Sequence, residues 1–279
     1  MYHNILTQKD YPNYSQLKKM TKLLIKLIET EAIYFSRHLE EKINIGIITV
    51  LVSENNPHNW EDIYEYGSKF FKAYPEFSFR VFNADWVKES LRGGNIFFIM
   101  HCSEHELVYS IDESSSVVVL KKINAKRLIK EAKDTFRFDF KESVVIGRDR
   151  NFHLRCENYT MAAYNIHHEM RSIFVFATWF LTGEWIGEHS LVKLQKDLSK
   201  FSSTVGKTFD PNKEEEWFVL EQLENARASI QFNAEIEPIS KKTVEVAFAK
   251  VDWAEKEVRR LFEERIKITK QKIKDHGSK

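Results

Sequence analysis

Cysteine is almost absent from this chain: Cys102 and Cys156 are the two among 279 residues. Two thiols that far apart give neither a disulfide framework nor a paired-cysteine zinc motif, and they point to a reducing, cytoplasmic setting. Proline and glycine are scarce, 5 and 9, so helices should dominate and long flexible linkers are not expected. No uninterrupted apolar stretch reaches the length that spans a bilayer, and the amino-terminal segment MYHNILTQKDYPNY lacks the apolar centre of a signal peptide. No membrane association is expected. Charge of one sign is lacking too: 42 Lys and Arg stand against 41 Asp and Glu, a net +1. No global field attracts nucleic acid, which is not expected as a partner. Internal repeats and low-complexity tracts are missing.

What is present is a change of period along the chain. Leu17, Met20, Leu24, Leu27 and Ile28 recur at helical spacing, which predicts a helix over about 14–30. Its lysines Lys18, Lys22 and Lys26 line another face, read as solvated. The β-branched runs at 32–36 and 44–53 predict strands, as does 77–83. Between them, Asn59 is placed to cap a helix that Pro75 ends. A short helix over 84–91 stops at Gly93-Gly94, and short strands are expected at 106–110 and 116–120. Strand signals then cease. A seam runs through Tyr159, Ala163, Ile166, Met170, Ile173, Ala177 and Phe180, closed by Gly183. Shorter seams follow, and Ser240 is placed to cap a last helix carrying Val244, Ala247, Val251, Ala254, Val258 and Leu261. Seamed helices with short connections predict an antiparallel bundle.

The segment YNIHHEMR at 164–171 gathers His167, His168 and Glu169. Metal ligands on a helix need spacings of three or four, so that they share a face. His167 has Met170 and Arg171 at those offsets, His168 has Arg171 and Ser172, and no two ligands pair. The segment is therefore read as helix surface, with His167 flanking the seam and His168 and Glu169 facing out. GRDR at 147–150 is read as a surface ion pair. Ser36, His38 and Glu40, and likewise His101, Cys102 and His105, are close in sequence without the arrangement a triad or a metal site requires. No glycine-rich phosphate loop is present.

The second half resembles the HEPN domain. Residues 159–185 are similar to that family's long second helix, with Ala163, Ile166 and His167 at its start, His168 where glutamine is usual, and Thr182-Gly183 at its end. EHSLVKL at 188–194 is similar to the start of the next helix, with His189 at the family's histidine. ENARASIQFN at 224–233 is similar to the closing segment, with Arg227 at the arginine. The resemblance covers about residues 124–263 and implies a four- to five-helix bundle that commonly dimerises. Ribonuclease members carry Arg-x4-6-His; after Arg227 comes SIQFNAEIE, without a histidine and with Asn233 in the window. Many HEPN domains follow a minimal nucleotidyltransferase domain, and the first half resembles one in element order. Ser36-Arg37 stand where that family has Gly-Ser. Ile47 and Thr49 stand where it has two metal-binding aspartates, and neither side chain can hold magnesium against a triphosphate. Gly67-Ser68 is a true Gly-Ser pair, within a helical pattern.

Together these features predict an α+β chain. The resemblances imply a degenerate α/β nucleotidyltransferase-like domain over residues 1–123 and an all-α up-and-down HEPN bundle over 124–263, with a basic tail expected at 264–279. The expected role is non-catalytic binding of a nucleotide-like ligand or a protein partner, by a homodimer. Arg227, His167, His189, Ser36 and Arg37 are the candidate ligand-binding residues, without metal ligands or cofactor; Trp179, Trp185 and Trp217 are candidates for the dimer face. The alternative is an active enzyme. It would be a magnesium-dependent nucleotidyltransferase with Asp85, Glu54 or Asp62 as stand-in carboxylates, or a toxin–antitoxin-like HEPN ribonuclease using His167 or His189.

Overall fold

Alternating apolar residues commit the first third of the chain to a sheet, and seams of period 3.6 commit the rest to helices. The computed structural model describes residues 14–40, 43–72, 74–111 and 118–277. The amino-terminal stretch read for signal-peptide character lies outside them except for Tyr14, as do Ser116 and Val117 of the strand expected at 116–120. The chain divides into two units, Met1–Ala132 with Ile266–Lys279, and Lys133–Arg265. The fold is mixed α+β, a small sheet near the amino end followed by a helical region.

The first unit runs α1 (Tyr14–Leu27), β1 (Thr30–Glu40), β2 (Ile43–Val52), α2 (Trp60–Phe71), β3 (Phe77–Asn83), α3 (Ala84–Arg92), α4 (Phe97–His101) and β4 (Leu107–Ser110). The sheet order is β3-β2-β1-β4, with β2 and β3 parallel and β1 antiparallel to both of its neighbours. Because side chains alternate along a strand, Ile33, Val50 and Val81 share one face. They are buried with Leu17, Met20 and Leu24 of α1 and Ile63 of α2. Tyr34, Ser36 and His38 project from the opposite face in register with Thr49, Ile47 and Ile45. Asn83 caps α3 by accepting from the Asp85 and Trp86 amides, and Asn59 Oδ1 accepts the Asp62 amide at 2.8 Å.

Two expectations change here. β1 runs on through Ser36 and Arg37 to Glu40, leaving them in mid-strand and not in a turn. Val118 makes a single bridge to Ser103, and Leu120 opens a short 3-10 turn, so no strand forms over 118–120. Gly67 lies inside α2, where an added Cβ would fall 2.1 Å from the Phe79 ring. Its smallness lets β3 approach the helix and makes no phosphate turn. Residues beyond 263 continue the last helix to Gly277, with Ile266 and Thr269 buried and Lys272 Nζ donating to Met100 O and Glu106 Oε1.

Five further helices follow: α5 (Ala125–Arg155), α6 (Tyr159–Thr182), α7 (Leu191–Leu198), α8 (Glu214–Phe232) and α9 (Lys241–Gly277). In the second unit α6 packs against α7 and α8. Its carboxyl half is buried nearly all round, with Phe174, Phe176 and Phe180 among the most enclosed side chains. Each such aromatic contributes roughly 1.5–3 kcal/mol of burial. Phe262 of α9 stacks on Phe136 of α5 at 4.7 Å between ring centres. Gly183 ends α6 at φ +83, donating to Trp179 O. Ser240 Oγ accepts the Thr243 amide at the start of α9. Asn233 is the left-handed cap of α8 at φ 54, a conformation asparagine tolerates better than a β-branched residue. The expected outward positions are corrected for Glu169, Arg150 and Trp179, which are 6%, 5% and 6% exposed. No helix among the described residues is long and apolar enough to cross a membrane.

Candidate functional site: an arginine and histidine cluster on the helical unit

Helical spacing assembles this cluster. On α6, Tyr164, His168 and Arg171 fall at steps of four and three. On α8, Glu224, Arg227 and Gln231 do the same. Such steps stack side chains on one face. Arg227 Nε donates to Gln231 Oε1 at 3.0 Å, and Gln231 Nε2 reaches Tyr164 Oη at 3.5 Å, which joins the two stripes. The segment before α7 adds Glu188, His189 and Ser190. Arg171 Nε donates to the Glu188 carbonyl at 2.8 Å.

Beneath the stripe, Glu224 is the organising acid. It accepts from Ser190 Oγ at 2.9 Å and from the Val192 amide at 3.4 Å. His167 Nε2 is 3.5 Å away, and Arg227 Nη1 3.9 Å. Burial pushes the Glu224 carboxyl up, but His167, Ser190 and the Val192 amide outweigh it and hold it below the usual range. His167 is 0% exposed. It stands behind Glu224 and is shut off from any ligand in solvent.

The outer groups are cations or imidazoles that their neighbours keep neutral. Burial lowers His168 to about 4, helped by His167, Arg171, His189 and Arg227. His189 is exposed, yet the Arg171 charge, burial and Arg227 lower it, against the opposing charge of Glu188. Burial and the Arg227 charge lower Arg171 as well. Glu188 is already engaged: it accepts the His189 and Ser190 amides at 2.8 Å and pairs with Lys193. The two guanidinium groups thus repel each other beside two neutral imidazoles; Glu188 is engaged by amides and Lys193, and Glu224, 3.9 Å from Arg227, is shared with Ser190 and the Val192 amide. A bound anion would relieve that repulsion.

Of the candidates read from sequence, this places Arg227 and His167 beside the Glu224 carboxylate, and His189 next to Ser190, which donates to that carboxylate. Ser36 and Arg37 belong to the first unit and have other neighbours. Ser36 is buried with Oγ 2.8 Å from His101 Nδ1, and Arg37 Nη2 donates to Asn44 Oδ1 across the hairpin. Ile47 and Thr49 are wholly buried between Ser36 and Ser78, and between Tyr34 and Arg80. Asp85 pairs with Lys88 on its own helix. His105 packs on His276, 4.1 Å between ring centres, and burial pushes the Cys102 thiol far up. Among the described residues no three metal-ligating side chains converge. Sequence reasoning passed over His168 and Arg171. Their signal was the polar stripe beside the apolar seam of α6, matched by a second stripe on α8.

A cavity of about 600 Å³ opens between the first turns of α8 and α9, lined by Glu216, Phe218, Thr243 and Lys250 among others. It lies roughly 12 Å along α8 from Glu224. Lys250 pairs with Glu216, which also accepts from Lys213 and the Asp210 amide. Glu214, Glu215 and Lys242 of its lining make no ion pair among the described residues; with three acids against two lysines the cavity does not favour an anion, and the arginine cluster is the better candidate for one.

The chain matches no protein-family model and no curated protein.

Proposed function

We propose that the helical unit binds the phosphate group of a nucleotide or nucleotide-like ligand, without catalysis, through Arg171 and Arg227. The observation that carries this reading is the juxtaposition of those two guanidinium groups with His168, held neutral chiefly by burial, and His189, lowered chiefly by the Arg171 charge. Arg227 and His189 also occupy the arginine and histidine positions of the HEPN resemblance. In this reading His167 serves as a positioning residue, fixing Glu224 and through it Ser190 and Arg227. The sheet of the first unit is read as a nucleotidyltransferase-like frame without its metal-binding acids, since Ile47 and Thr49 fill those positions. The resemblance further implies a homodimer; Trp185 and Phe232, 56% and 67% exposed, are among the exposed aromatic side chains that could serve such a face.

Calorimetric titration of the full chain with ATP, GTP and AMP, with and without magnesium, tests the reading. The expected result is magnesium-independent binding, at least about tenfold weaker in Arg171→Gln/Arg227→Gln and unchanged in Arg37→Gln. Binding that requires magnesium and survives the double substitution would sink it. So would transfer of AMP from ATP that depends on residues 33–53.

A second reading has one observation in its favour. His189 is exposed and neutral beside two arginines, as a general base next to a phosphodiester must be. Metal-free cleavage of RNA, lost in His189→Ala, would replace the binding reading with a ribonuclease. Intact RNA after prolonged incubation would dismiss it.

A further inference from the structure

The first unit carries a separate cationic concavity. The last turn of α3 and the first turns of α5 enclose about 310 Å³, with Lys88, Arg92, Lys122 and Arg127 on its rim. Leu91, Ile123 and Leu128 also line it; the first two are half-buried and Leu128 is buried. Its walls are fixed by a glycine. Gly94, just past α3, has φ +85, and a Cβ there would fall 2.2 Å from Ala132 N of α5. The end of α3 is therefore pressed directly on the α5 backbone, and the concavity is a built feature of the fold.

Its charge is unbalanced. Lys88 pairs with Asp85 and Arg92 with Glu89, but all four side chains are more than half exposed, where such pairs hold little energy. Lys122 and Arg127 make no ion pair among the described residues. From Lys121 to Lys133 the sequence has six cations, at 121, 122, 126, 127, 130 and 133, against Glu131 alone, on a chain whose net charge is +1. Asn124 Oδ1 already accepts the Arg127 amide, so the end of α5 is capped from within and the side chains, not the helix terminus, would meet a ligand.

We propose that this concavity binds a phosphate ester of about mononucleotide size. The cations take the phosphate, and Leu91, Ile123 and Leu128 lie under the organic part. Volume and lining suit a small ligand with one anionic end, since small-molecule sites run from about 300 to 1,000 Å³ with an apolar floor and few polar groups. The site is independent of the one on the helical unit.

The test uses the full chain carrying Arg171→Gln/Arg227→Gln, so that only this site responds. AMP, adenosine and a 12-nucleotide RNA are titrated calorimetrically. The expected result is AMP binding, about tenfold or more weaker for adenosine. A similar loss is expected in Lys122→Glu/Arg127→Glu with its melting temperature unchanged, and Lys122→Arg should retain binding. AMP affinity indifferent to the charge reversal, or no AMP binding at all, overturns the proposal. RNA binding far tighter than AMP, with a steep salt dependence, also overturns it in favour of a polymer backbone.

Discussion

Arg150 Nη1 lies 2.5 Å from Glu169 Oε2 inside the helical unit, with the two side chains 6% and 8% exposed. The guanidinium also sits over the Phe248 ring at 3.8 Å, and Gly147 leaves only 3.2 Å between a would-be Cβ and Glu169 Oε1. α5, α6 and α9 meet at this pair. Removing one partner of a buried pair strands the other charge and costs about 3–5 kcal/mol, whereas apolar replacement of both is often neutral. Arg150→Ala should therefore destabilise the protein by about that amount and Arg150→Met/Glu169→Leu by far less. Urea unfolding decides; equal losses in the two variants would contradict the account.

Burial pushes Glu169 up to about 7, against the opposing charge of Arg150 and with the help of Asp252 and Glu255 from α9. In the unfolded chain the group ionises near its ordinary 4.5. Between those values the native state holds a proton that the unfolded state has lost, so stability falls as pH rises through that window, by on the order of 3 kcal/mol. His168 acts in the opposite sense. Its folded value of about 4 lies below its ordinary 6.5, so its contribution is lost as pH falls between them. The two slopes offset each other in the native protein. Glu169→Gln should tilt the profile toward higher stability at neutral pH, and His168→Gln toward higher stability in acid. Unfolding free energies at intervals from pH 4.5 to 7.5 measure this, and profiles parallel to the unsubstituted protein would refute it.

Gly94 and Gly187 make a paired test of backbone constraint. Gly94→Ala must place a Cβ 2.2 Å from Ala132 N at φ +85, while Gly187 has nothing within 4 Å. The left-handed conformation alone costs roughly 1–2 kcal/mol for a residue with a Cβ, and the clash adds to it. Thermal melting should show a clear loss for Gly94→Ala and almost none for Gly187→Ala.

At the arginine cluster, binding and protonation are coupled. Sulfate stays a dianion throughout the working range, so its own charge does not complicate the result. Its affinity should rise as pH falls from 7.5 to 5.5, because a bound dianion favours charge on His189. In Arg171→Gln the His189 resonance should titrate at higher pH, since the Arg171 charge is the largest influence lowering it. Proton NMR follows both effects. A His189 titration unmoved by the substitution would separate the two residues and remove the basis for a joint anion site.

Much of this architecture was written in periodicity. The seam from Ala163 to Phe180 became α6, with every seam member buried, because a step of 3.6 leaves a single stripe that must leave water. The caps Asn59 and Ser240 are local chemistry, readable from adjacent residues. The strand at 77–83 was equally plain. Harder was the hairpin of β1 and β2, since nothing in SRHLE marks whether Ser36 ends a strand or lies within one.

What the sequence alone determined is the succession of elements, a small sheet and then helices, and the loss of acidic side chains at positions 47 and 49. Tertiary structure decided which polar residues are charged, buried or available. Glu169 and Arg150 read as surface residues because charge is ordinarily solvated; packing of three helices enclosed them as a pair. His168 and Arg171 are one turn apart on α6, but His189 and Arg227 come from later segments, and the four carry no joint signature. Only the packing of α6 against α7 and α8 brings them to one face, where the repulsion of two guanidinium groups beside two neutral imidazoles, a property of distance in space and not of order in sequence, makes a candidate anion site.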